Sequence, residues 1–86
     1  MTKGKTMIAD LVEAESTFSR TIGKITKDEA TDIVAVLGLS GEALNVVNEI
    51  VDVEFAEADR FAAGYLRTDG IAARLRVAIA RQQRGE

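Results

Sequence analysis

The sequence predicts an all-α fold, a small bundle of about four helices built around a long third helix. Three features lead there. No proline occurs anywhere in the 86 residues, so no position forbids a helix interior. Apolar residues recur every three or four positions, the period of a helix face, and no run alternates cleanly enough to form a strand. Glycines fall between these periodic stretches, where the chain needs turns.

The first helix is expected over residues 6–22, because Ile8, Leu11, Val12, Phe18 and Ile22 fall on one face at about 100° per residue. Gly23 is its expected C-cap. A second helix, residues 27–37, is announced by Thr26 with Glu29 three positions on, a capping box, and by Asp28 in the first turn. Gly38 closes it. Ser40 is placed to cap the third helix, residues 40–66. Thr68 or Asp69 begins a fourth over residues 70–83, with Ile71, Leu75, Ala78 and Ile79 facing inward. The whole chain, residues 1–86, reads as a single domain without repeat, linker or low-complexity tract.

The third helix carries too many apolar residues for one narrow stripe. Val46, Val47, Ile50, Val51, Val53, Phe55, Ala58, Phe61, Ala62 and Tyr65 cover more than half its circumference, so it must be contacted on several sides. Within that face Val51, Phe55, Ala58, Ala62 and Tyr65 have the four-three spacing of a coiled-coil seam. With Val47 one turn earlier, they form the expected oligomer interface. Apolar residues make up 47% of a chain near the lower size limit for a self-sufficient core. A core shared with a second copy is therefore expected.

The stretch TKDEATDIVAVLGLSGEALNVVNEI, residues 26–50, also has the outline of a helix-turn-helix, with Ile33, Leu37, Gly38, Leu39, Leu44 and Val47 in suitable places. Val34 stands where a small residue would let the helices close. The would-be reading helix offers Glu42, Glu49 and Asp52 and no cation from Ser40 to Val53, against the need to neutralise phosphates. Asn45 and Asn48 could address adenine edges. Nucleic acid is accordingly a minor alternative.

Charge is lopsided along the chain. Residues 1–59 hold five basic and twelve acidic side chains; residues 60–86 hold six arginines against Asp69 and Glu86. The planar guanidinium fork suits interfacial carboxylates, so Arg74, Arg76 and Arg81 are expected either to pair with acids of this chain or a second copy, or to meet an acidic protein partner. Two acids need such partners. On a helical wheel Glu15 lies among Leu11, Phe18 and Ile22, and Glu54 among Ile50, Val51, Ala58 and Phe61. A carboxylate buried alone is costly, and Glu54 with Arg74 or Arg76 is expected to help set the register of the assembly.

Several chemistries are disfavoured. The chain has no cysteine and no histidine, which removes thiol chemistry, disulfides, the commonest general base and the commonest metal ligand. The serines and threonines near residue 16 have no histidine to activate them. A carboxylate metal site of the helical-bundle type draws on Glu-x-x-His pairs, and a sugar-cleaving acid pair would need a cleft with aromatic platforms. Gly4-Lys5-Thr6 lacks the preceding strand and glycine run of a phosphate loop. No metal or cofactor is expected. No apolar run is long enough to span a bilayer, and the start meets carboxylates too early for a signal peptide, so a cytoplasmic chain is expected. The reading is a non-enzymatic helical protein-protein interaction module, homodimeric, acting as an adaptor, inhibitor or regulatory subunit. The alternatives are a small DNA-binding regulator or a structural subunit of a larger helical assembly.

Overall fold

The computed structural model describes residues 3–21, 23–60 and 65–85, with side chains from residue 7 onward. The fold is an all-α bundle: α1 (Lys3–Arg20), α2 (Lys27–Leu37), α3 (Gly41–Arg60) and α4 (Thr68–Gln83). Two short strands, β1 (Lys24–Ile25) and β2 (Leu66–Arg67), pair antiparallel with Ile25 opposite Leu66. No strand is foreseen from the sequence, because two residues carry no periodicity. The bridge ties the α1–α2 connection to the α3–α4 connection. Thr68 reinforces it: its N–H donates to the Gly23 carbonyl at 3.2 Å, and its buried hydroxyl donates to the carbonyls of Thr21 and Gly23. A carbonyl just past the end of α1 thus finds a donor on the first residue of α4.

α2 spans its expected residues, and the other helices differ from their expected outlines for physical reasons. The face of α1 that is buried consists of Met7, Leu11, Ala14 and Phe18, spaced four, three and four. Val12 is exposed and Ile8 only half-buried, so the face is turned toward the small Ala14. Ile22 lies outside the described residues, and the helix ends at Arg20, ahead of Gly23 with its φ of +112°. α2 opens on its capping box: the Thr26 hydroxyl accepts from the Glu29 N–H at 3.2 Å, and the Glu29 carboxylate accepts from the Thr26 N–H at 2.8 Å. Gly38, left-handed at φ +66°, ends it and donates to Ala35. α3 starts at Gly41 and its described part stops at Arg60; residues 40–66 are not one helix, because Leu66 and Arg67 give their backbone to the bridge.

The core lies mainly between α1 and α4, with α3 closing it and α2 capping one side of α3. Phe18, Leu11, Ile71, Leu75 and Val47 are its largest fully buried side chains. From α3 come Ala43, Val47, Val51 and Phe55. Among the described residues no helix is long and apolar enough to cross a membrane.

Candidate functional site

The seam expected to meet a second copy lies largely inside the chain. Val47, Val51 and Phe55 are buried in its own core, because α1 and α4 cover that face of α3. Ala58 packs at the core's edge, and Ala62 lies outside the described residues. Tyr65 is not helical but exposed beside β2, where Lys24 Nζ donates to its hydroxyl at 3.2 Å and sits 4.5 Å from the ring centroid. The Val47–Val51–Phe55 line is thus covered within one chain: a coiled-coil spacing identifies a covered stripe and is silent on which chain covers it.

The two singled-out acids sit at the rim of the core, and each meets an arginine of α4. Glu54, whose side chain is 16% exposed, accepts from Arg74 Nε. Glu57 lies 3.5 Å from Arg74 Nη2, so one guanidinium spans two carboxylates one turn apart on α3. These acids hold the Arg74 guanidinium above its ordinary pKa, chiefly through the hydrogen bond to Glu54, which outweighs the loss of hydration, with the charges of Glu54 and Glu57 adding to it. Glu15, 21% exposed, accepts from Arg76 Nε at 3.0 Å and from the Ser19 hydroxyl at 2.7 Å. Arg76 Nη2 also donates to Ser19 at 3.3 Å. Both acids flank their helix's buried stripe and lie outside it, which is how their carboxylates reach water-accessible arginines.

Gly70 explains how Glu54 comes so close to α4. A Cβ at that position would collide with Glu54 Oε1, so the missing side chain leaves the carboxylate room against the first turn of α4. Negative charge is favoured there by the helix dipole.

Farther along the same pair of helices the surface opens into a groove of about 580 Å³. Its floor is Met7, Val46, Ile50 and Ala78; Val53 and Val77 stand exposed along it at 39% and 53%. Glu49 lines the α3 side and Arg81 the α4 side, and no ion pair within 4.0 Å joins them. Of the three arginines singled out by sequence, Arg74 and Arg76 are engaged inside the chain and Arg81 faces this groove. In the sequence Val53 belongs to the broad apolar face of α3 and Glu49 to the would-be reading helix, and nothing joins either to Val77; the available signal is an apolar residue, Val77, on the arginine-bearing flank of α4.

The outward side of α3 exposes Glu42, Asn45, Asn48, Glu49 and Asp52. A helix meant to lie against phosphates would be repelled by it. Among the described residues no group of three acids is arranged to hold a metal ion. No protein-family model matches the chain, nor does any curated protein or solved structure.

Proposed function

We propose that this chain is a non-enzymatic, homodimeric protein-protein interaction module of the cytoplasm that acts by association, as an adaptor, inhibitor or regulatory subunit. The observation that carries the reading is the groove between α3 and α4, apolar at its floor and walled by Glu49 on one side and Arg81 on the other. Exposed Val53 and Val77 on one small face are a standing cost that association removes, at about 25 cal/mol for each Å² of apolar surface covered. The acidic outer side of α3 speaks against DNA as the partner.

The test is absolute mass in solution, by light scattering on a sizing column, from micromolar to millimolar chain. A mass that doubles with concentration is expected, with a midpoint that moves with salt. A single-chain mass throughout would sink self-association as the mode of action.

A further inference from the structure

Resting on that reading, we infer that the occupant of the α3–α4 groove is a second copy of the chain, related by a two-fold axis running along the groove, with Glu49 facing the partner's Arg81 and Val53 facing the partner's Val77.

The spacing supplies the first argument. Val46, Glu49 and Val53 on α3 are three and four residues apart, and so are Arg74, Val77 and Arg81 on α4. Two such ridges present straight rows of side chains over about two turns, the geometry that interlocks with another helix pair. The helices run antiparallel, since Glu54 late in α3 pairs with Arg74 early in α4 while Glu49 and Arg81 border one groove. Glu49 therefore stands level with Arg81, and Val53 with Val77.

Charge selects the symmetry. α3 carries six acids and Arg60; α4 carries Arg74, Arg76 and Arg81 against Asp69. A closed dimer uses the same patch on both copies. With the axis across the groove, α3 would lie on the partner's α3, and Glu49 would face an acidic helix instead of an arginine-bearing one. With the axis along it, each α3 lies on the partner's α4, levels are preserved, and Glu49, the acid lining one wall, meets Arg81 on the other. Only this second arrangement is electrostatically complementary. The face is two helices wide, and α4 lines it only from Arg74 to Gln82, or roughly 20 by 13 Å. That is below the roughly 600–1,000 Å² per partner of standard specific interfaces, which suits a weak dimer that dissociates on dilution.

The absence of native cysteine makes cross-linking a clean test. Val53→Cys and Val77→Cys chains, mixed and oxidised, are expected to give a mixed covalent dimer, while neither alone links to itself, because a disulfide needs Cα atoms within about 7 Å. Glu49→Arg alone, and Arg81→Glu alone, should each weaken the dimer by about tenfold or more, and the double variant should recover it. Self-linking by Val53→Cys would overturn the axis in favour of like-on-like packing. An unlinked mixture in a protein that is dimeric by mass would place the contact elsewhere and leave the functional reading standing. A wild-type chain of monomeric mass at every concentration would remove that reading and this inference together.

Discussion

Near the short sheet, Arg74 of α4 is gripped by Glu54 and Glu57 of α3, whereas farther along the same helices Glu49 and Arg81 border a groove and do not meet. The residue types are alike at both ends and the outcome is opposite. One position on α4 separates them. Four residues before Arg74 stands Gly70, which makes room for the Glu54 carboxylate; four residues before Arg81 stands Val77, an exposed apolar side chain. A missing Cβ turns one stretch of the helix pair into a closed ionic clasp, while a branched side chain at the corresponding place leaves the other open.

The largest effect should come from a change that loosens both ends at once. Leu75, fully buried between them, when replaced by alanine is expected to cost about 3 kcal/mol in urea unfolding. That is a large share of what a chain this small has to lose. Glu54→Gln attacks the closed end only. It should cost about 1 kcal/mol, less in molar salt, since the pair lies at the rim; an unchanged melting temperature and oligomeric state would remove Glu54 as an organising residue. Gly70→Ala tests the clasp directly. In a Glu54→Ala background it should stabilise by about 0.5–1 kcal/mol, the ordinary helix gain, while in the wild-type chain the methyl displaces the carboxylate and the gain vanishes. A double-mutant cycle without coupling would contradict the role given to Gly70.

The smallest effect is that of pH on Arg74. Its pKa is raised in the folded chain, so its contribution is full below the unfolded arginine value and is lost only as pH rises through the higher folded one. The stability difference between wild type and Arg74→Gln should therefore stay flat from about pH 6 to 10, outside the range where carboxylates titrate. A slope in that window would point to a different titrating group at the clasp.

How much of this was legible beforehand depends on the range of the interaction. The Thr26–Glu29 capping box and Gly38 act within one helical turn, and their types and spacing announce them. The inward face of α1 was read one flank off, because Val12 advertises itself as core and Ala14 does not; packing against α4 favoured the small residue. The end of α3 was obscured because Phe61, Ala62, Tyr65 and Leu66 continue a plausible helical period, while Leu66 is drawn away by pairing with Ile25. That Glu15 and Glu54 require partners follows from an acid beside an apolar stripe. Which arginine serves which acid depends on how three helices register against one another, and a helical wheel holds no such information. The groove was missed for the same reason, since Glu49 and Arg81 become neighbours only through the antiparallel packing of α3 and α4.

The most extensive helix contact joins the two helices farthest apart in the chain, α1 and α4. On a ribosome α1 is made well before α4. Leu11, Ala14 and Phe18 share their core with Ile71, Ala72 and Leu75, so the main cover of α1 arrives only when α4 has been synthesised. Until then the nascent chain carries an incompletely covered apolar helix. Closing it requires a loop of some fifty residues between Phe18 and Ile71, with the short sheet and the Thr68 hydroxyl locking into place as that loop shuts.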